Sequence, residues 1–495
     1  MITNRHDYDV IVIGSGPAGQ NAALEAASRD AHVLVVERES AVGGACVQYG
    51  TIPSKTLRET ALSLTTFQRR SGDVYRISHD SQLSVCSLMK RLNDVIHAYQ
   101  ETTRRSLEFA SICRTWGKAR FLSTNEICIE KITGEKIIAS AETIVIATGS
   151  RPRNPANISV DHENVLDSDS ILSMSYLPQS LLVFGAGVIA CEYAATFAAL
   201  GVKVTMIDRG DYPLSFLDPE IVSFFVQQLE STGGSFRGKC EVQSAKFDGV
   251  SAVKATLAGG EVLKADKAFV ALGRVANLDS LEIDKAGLSV NERGLLNVNE
   301  YCQTSVPNIY AVGDTIGPPA LASASMEQGR RSMCHALTGK FREGQGSLPA
   351  GIYTIPEMAT VGLTEREAVQ KYGNPIVARV PWDRVARAHI TASTSGVLKL
   401  VTDPEGEKVL GVQIAGDSAT ELIHIGQMAI IGNMNVDVFV NNTFNFPTMA
   451  ETYRIAALDI LQQREILRGS ASGRTIFPQR VRAELASGIQ SSNHV

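Results

Sequence analysis

Tyr8-Asp9-Val10-Ile11-Val12-Ile13-Gly14-Ser15-Gly16-Pro17-Ala18-Gly19 is the stretch that decides the fold. A β-branched apolar run enters a glycine turn spaced G-x-G-x-x-G, and the alanine-rich Gln20-Asn21-Ala22-Ala23-Leu24-Glu25-Ala26-Ala27 follows. This order predicts a buried strand, a tight turn and a helix. In such a unit Gly14 permits the turn, Gly16 lets a pyrophosphate approach the backbone, and Gly19 lets the helix pack on the strand. The phosphates would meet the N–H groups and the positive dipole end of the helix. A second strand, Ala31-His32-Val33-Leu34-Val35-Val36-Glu37, follows at the right distance and ends in Glu37, an acid suited to ribose hydroxyls.

The pattern recurs at Ser180-Leu181-Leu182-Val183-Phe184-Gly185-Ala186-Gly187-Val188-Ile189-Ala190, where Ala190 takes the third glycine position. The strand Val202-Lys203-Val204-Thr205-Met206-Ile207-Asp208 again ends in an acid. Two such units predict two dinucleotides. Asp208 favours NAD through its ribose 2′-OH, whereas Arg209 would meet the 2′-phosphate of NADP, and the sequence leaves the choice open.

At 495 residues the chain is too long for a single core, which predicts about three domains. With 44% hydrophobic residues, 20% charged and a net charge of −5, the composition is that of a soluble globular protein and points to neither nucleic acid nor a membrane surface. The apolar run at Val10 to Ile13 is too short for a signal peptide, and no run approaches the ~20 residues that span a bilayer, so a cytoplasmic location is expected. Eight cysteines without a C-x-x-C pair and nine dispersed histidines predict neither a disulfide framework nor a metal site.

Gly43-Gly44-Ala45-Cys46-Val47-Gln48-Tyr49-Gly50-Thr51-Ile52-Pro53-Ser54-Lys55 resembles the active-site segment of the pyridine nucleotide-disulfide oxidoreductases. Ile144-Val145-Ile146-Ala147-Thr148-Gly149-Ser150, Phe269-Val270-Ala271-Leu272-Gly273-Arg274 and Ile309-Tyr310-Ala311-Val312-Gly313-Asp314 resemble further family segments, in order, over nearly the whole chain. The resemblance implies an α/β fold with two Rossmann-like domains, one for FAD and one for NAD(P), followed by a C-terminal α+β dimerisation domain. With the glycine fingerprints it assigns Gly14, Gly16, Gly19, Glu37, Gly44, Lys55, Gly149 and Asp314 to FAD, Asp314 through the ribityl chain. Gly185, Gly187, Asp208, Arg209 and Gly273 fall to NAD(P).

Two departures carry chemistry. The family's second active-site cysteine is Thr51 here, so Cys46 lacks the partner that a dithiol relay needs. The histidine that serves the thiol in the family's C-terminal motif is Phe446, although its partner acid remains as Glu451. Both losses strike thiol chemistry and spare nucleotide binding. The resemblance further implies that Lys55 pairs with Glu192 beside the flavin, with Cys46 as a flavin neighbour. The expected activity is hydride exchange between NADPH and NAD⁺ through the flavin, without a redox disulfide, and it is closest to one subfamily that shares Gly-Thr-Ile-Pro-Ser-Lys. The alternatives are a flavin enzyme with a quinone or oxygen acceptor, or a non-catalytic nucleotide sensor.

The expected domains are residues 1–150 and 277–345 for FAD, 151–276 for NAD(P) and 346–470 for dimerisation, with 471–495 as a flexible tail. Residues 83–96 carry apolar positions at helical spacing and are expected to pack within the FAD domain. A homodimer or higher homo-oligomer is implied, with Phe446 and Glu451 reaching the partner's flavin.

Overall fold

The computed structural model describes residues 6–71, 85–340 and 347–471. The expected tail, most of it beyond residue 471, and Leu83 of the helical stretch lie outside them. The described residues divide into two compact units: those within Met1–Ser215, Phe225–Gly344 and Ile352–Ile355, and those within Phe216–Phe224, Gln345–Gly351 and Pro356–Val495.

The first unit holds two parallel sheets of like design. In one, Cys113–Trp116, Val33–Glu37, Tyr8–Ile13, Lys136–Ile146 and Ile309–Ala311 lie side by side, all parallel. Val10, Ile11, Val12 and Ile13 are buried, as a central strand covered on both faces requires. In the other, Ser235–Arg237, Lys203–Ile207, Ser180–Phe184, Lys267–Val270 and Val165–Asp167 repeat the arrangement, with Ser180–Phe184 central. Each sheet carries an antiparallel three-stranded partner segment: Lys118–Phe121, Glu126–Glu130 and the start of Lys136–Ile146 in the first, Val242–Phe247, Val253–Leu257 and Val262–Ala265 beside the second.

Small residues set the helix packing. Pro17–Ala27 buries Ala18, Ala22, Ala23 and Ala26, and Ala322–Thr338 lies so close to it that a Cβ on Gly329 would stand 2.1 Å from the Ala18 carbonyl oxygen. The helices Thr51–Ser71 and Val85–Phe109 pack together, and Leu88 and Leu92 are buried, in keeping with the spacing.

In the C-terminal unit, Met358–Gly362, Val409–Ala415, Val397–Thr402 and Val377–Pro381 form an antiparallel array. It encloses Trp382, Tyr453, Leu398, Val412 and Ile414 beneath the helices Ala419–Ile431 and Glu451–Ala471. Lys399, 2% exposed, sends its ammonium to Asp218 (2.7 Å), Glu365 (2.6 Å) and Glu220, and Gln413 also donates to Asp218 (2.7 Å). These three carboxylates are grouped closely enough to suit a metal ion. Lys399 together with Arg379, which bonds Glu220 (2.7 Å) and Glu365 (2.5 Å), offsets most of their charge, so the cluster is an ion network. No described helix is long and apolar enough to cross a membrane.

Candidate active site

The first glycine turn is shaped by contact. Gly14 has φ +103°, and a Cβ there would stand 2.4 Å from the Ala147 carbonyl oxygen, while a Cβ on Gly19 would stand 1.9 Å from that of Gly14. Gly16 differs: nothing lies within 4 Å of where its Cβ would be, so the turn is open where a pyrophosphate would approach. No side chain caps the helix that follows. Glu37 is buried at the end of its strand and accepts from Ser15 N (2.9 Å) and Ser15 Oγ (2.6 Å) on one oxygen and from Glu39 N (2.9 Å) on the other. Gly44 brings the cysteine-bearing helix Gly44–Gln48 against this turn, since a Cβ on it would meet the Gly16 Cα at 2.8 Å.

Beside the turn, Thr148 Oγ1 is buried without a hydrogen-bond partner, and Gly149 accepts from Asn277 N (2.9 Å). Asp314 receives the Ser150 hydroxyl at 2.5 Å. An open phosphate turn, an acid at the end of the next strand and an orphaned hydroxyl beside the turn fit FAD.

Lys55, on the helix Thr51–Ser71, donates to Glu192 Oε2 at 2.5 Å; Glu192, on the helix Val188–Ala199, is 7% exposed. The other carboxylate oxygen accepts from Tyr353 N at 2.8 Å, and the Lys55 ammonium lies 4.9 Å from the Tyr353 ring centroid. Arg58 steadies the same segment by donating to the Thr354 carbonyl at 3.2 Å. Glu192 is therefore gripped on both oxygens, which fixes the lysine. Cys46 is a free thiol. Burial pushes it above the ordinary cysteine range, although a hydrogen bond with Thr51 and the Lys55 charge pull the other way. It stays protonated at neutral pH and is a poor nucleophile there.

The second turn repeats the first. Gly185 has φ +113°, with a Cβ there 2.5 Å from the Ala271 carbonyl oxygen, and the space beside Gly187 is open. Asp208 Oδ1 accepts from Gly210 N at 2.7 Å, while the exposed Arg209 pairs with Glu241 at 2.5 Å. Gly273 takes φ +103°. The next residue, Arg274, donates to Ser150 Oγ and Ser150 O, each at 2.7 Å, and to Ser168 Oγ at 3.1 Å. Through Ser150 the second dinucleotide fold thus touches the acid assigned to FAD.

The structure brings Lys55, Glu192 and Cys46 to one place beside the first turn, where Asp314 is also close enough to act on the Cys46 thiol. Glu451 belongs to the C-terminal unit, where it opens the helix Glu451–Ala471 and accepts from Thr448 N at 3.4 Å; Phe446 is exposed. Ser15, Ser150 and Arg274 went unassigned in the sequence, yet each directly follows a motif glycine, a signal available to be read. Tyr353 acts through its backbone N–H, which no side-chain pattern reveals.

Two linked dinucleotide folds joined by the Lys55–Glu192 ion pair define a flavin- and nicotinamide-dependent oxidoreductase. The chain belongs to the pyridine nucleotide-disulphide oxidoreductases, whose family model matches residues 8–329 and whose dimerisation-domain model matches residues 348–457. It is an FAD enzyme. Among curated relatives, the soluble pyridine nucleotide transhydrogenase of Mycobacterium tuberculosis is 41% identical over 465 residues, covering 93% of this chain and 98% of its own. That of Chromohalobacter salexigens is 41% identical over 91% of this chain and 98% of its own. Of solved structures, the Cu(II) complex of the HOCl-induced flavoprotein disulfide reductase RclA from Escherichia coli matches with a TM-score of 0.83 at 25% identity, covering 92% of this chain and 99% of that one. LpdA from Mycobacterium tuberculosis shares the fold, with a TM-score of 0.84 at 24% identity, covering 91% of this chain and 99% of that one.

Proposed function

We propose that this enzyme is a cytoplasmic, homodimeric NAD(P)⁺ transhydrogenase of the Si-specific kind, exchanging hydride between NADPH and NAD⁺ with no redox disulfide. FAD, when bound, supplies the centre that accepts hydride from one nucleotide and returns it to the other. The observation that carries the reading is the contrast within one site: Lys55 and Glu192 form a close ion pair, while Cys46 faces Thr51 and its thiol is held protonated. The machinery beside the flavin is intact where the thiol machinery is dismantled.

In this reading the chain's residues bind and orient. The two open glycine turns hold the two pyrophosphates, Glu37 and Asp208 hold ribose hydroxyls, and Asp314 holds the ribityl chain. Lys55, fixed by Glu192, places a positive charge beside the reacting ring, where a preorganised charge favours electron-rich states without reorganisation. Phe446 and Glu451 would act toward the partner's site.

The test is anaerobic mixing of FAD-loaded enzyme with NADPH and thio-NAD⁺, with neither thiol nor disulfide present. Steady reduction of thio-NAD⁺ is expected. Flavin reduction without thio-NAD⁺ turnover would move the assignment to a quinone or oxygen acceptor, and no flavin reduction at all would leave a nucleotide sensor.

A further inference from the structure

An enzyme of the proposed kind must seat NAD(H) and NADP(H) in turn at its second dinucleotide fold, and the two differ only in the adenosine 2′ group. Asp208 directly follows the strand Lys203–Ile207, where a ribose 2′-OH would be bound. A carboxylate there repels a 2′-phosphate. Arg209, next in sequence, is the cation positioned to offset that repulsion, yet the structure shows it engaged: its Nη2 lies 2.5 Å from Glu241 Oε1.

Glu241 is not held in place by that ion pair. The backbone laces the two segments together, with Asp208 N donating to the Arg237 carbonyl (3.1 Å), Cys240 N to the Asp208 carbonyl (2.9 Å) and Lys239 N to the Gly210 carbonyl (3.0 Å). Arg209 can therefore leave while Glu241 stays. Both side chains are well exposed, at 76% and 51%, so water and salt screen the pair and opening it costs little. Neighbouring cations are balanced likewise, Lys239 by Asp211 and Arg237 by Glu261 in a two-point contact. The rim thus carries cations, but each has a carboxylate competing for it.

We propose that Glu241 is a specificity-determining residue that keeps Arg209 in reserve: NAD(H) binds through Asp208 with the Arg209–Glu241 pair closed, and NADP(H) binds when its 2′-phosphate draws Arg209 away. A phosphate dianion offers more charge and a better two-point fit to a guanidinium than one exposed carboxylate, so the exchange runs toward the phosphate. Without the competitor, Arg209 would stand ready at all times, NADP⁺ would bind too tightly, and its replacement by NAD⁺ would slow. The proposal rests on the transhydrogenase reading for its purpose, but the switch itself is a binding property.

The experiment titrates FAD-loaded enzyme by calorimetry with adenosine 2′,5′-bisphosphate and with AMP, for wild type, Glu241→Gln, Arg209→Gln and the double variant. Glu241→Gln should tighten the bisphosphate by about 2- to 5-fold at low salt, an advantage that shrinks as salt rises, and leave AMP unchanged. Arg209→Gln should weaken the bisphosphate by about 10-fold or more with AMP unchanged, and the double variant should match Arg209→Gln, because Glu241 acts only through Arg209. A Glu241→Gln effect that is absent, or equal for both probes, overturns the proposal. AMP binding reports that each variant is folded. Wild-type turnover with NADPH and thio-NAD⁺ is scored separately: if it fails while the probes divide as expected, the switch stands and the transhydrogenase reading falls, and in the converse case only the switch falls.

Discussion

Glu192 joins Lys55 to a distant part of the chain: one carboxylate oxygen accepts the Lys55 ammonium at 2.5 Å and the other accepts the Tyr353 N–H at 2.8 Å, across a sequence separation of 161 residues. A lysine held this way has one position, and a single position is what a preorganised charge requires. Lys55→Met and Glu192→Gln should each slow flavin reduction by NADPH by about 100-fold in stopped-flow measurements. The double variant should be little worse than either single one, since the two residues act as a unit. Additive losses would show that they act separately.

Cys46 should be dispensable. Burial raises its pKa, so at pH 7 to 8 it is a thiol, and the reactive thiolate grows in only as pH rises past the ordinary cysteine range. Cys46→Ser should keep hydride exchange within about 3-fold of wild type, since the swap is nearly isosteric and the thiol has no step to perform. Alkylation of native Cys46 by iodoacetamide, followed by mass spectrometry, should be slow at pH 7. Rapid labelling there would contradict the assignment.

Ser150 should govern how tightly FAD is held. Its hydroxyl donates to Asp314 while accepting from Arg274, so it orients the acid proposed to hold the ribityl chain and ties it to the second fold. Ser150→Ala should weaken FAD by about 3- to 10-fold, equivalent to one hydrogen bond of about 1 kcal/mol, as read by fluorescence titration of the apoprotein. Arg274→Lys, which cannot reproduce both contacts to Ser150, should act in the same direction.

Much of this was legible beforehand, because the glycine turns and strand-end acids are local. Gly14, Gly16 and Gly19 take the three separate parts that their spacing implies, and Ser180–Phe184 with Gly185 and Gly187 repeats the first unit. The Lys55–Glu192 pair was reachable only through family resemblance, since nothing in two isolated charges 137 residues apart brings them together. Tyr353 and the Lys399 network stayed hidden for a related reason. One works through a backbone amide, and the other is a lysine within the apolar strand Val397–Thr402 whose partners come from residues 218, 220 and 365.

That network makes Lys399 a stability determinant of the C-terminal unit. Burial opposes its charged form, but hydrogen bonds to Asp218, Glu220 and Glu365 prevail and raise its pKa above the usual lysine value. The contribution is therefore complete below about pH 10.5 and is lost as pH climbs through the folded-state pKa. Lys399→Met removes the ammonium from the buried Asp218 while Arg379 still holds Glu220 and Glu365, and should cost about 3–5 kcal/mol at pH 7. The deficit should shrink as pH rises through the folded-state pKa of Lys399, where the wild type loses the same charge. Calorimetric melting across that range checks both the size and the sign.

The first parallel sheet is discontinuous in sequence, and this has a bearing on biosynthesis. Ser150 and Asp314, which hydrogen-bond to each other, are separated by 164 residues, and nearly all of the second nucleotide fold is made between them. At a synthesis rate of about 5–20 residues per second, the ribosome needs about 8–33 s to pass from one to the other. During that interval the nascent chain has its phosphate turn but neither Ile309–Ala311 nor Asp314, nor the helix Ala322–Thr338 that packs against Pro17–Ala27. The NAD(P) fold, contiguous and already translated, is free to mature first. Cofactor capture thus follows translation of the other nucleotide fold, and a shortage of flavin would be felt by chains whose other nucleotide pocket is already built.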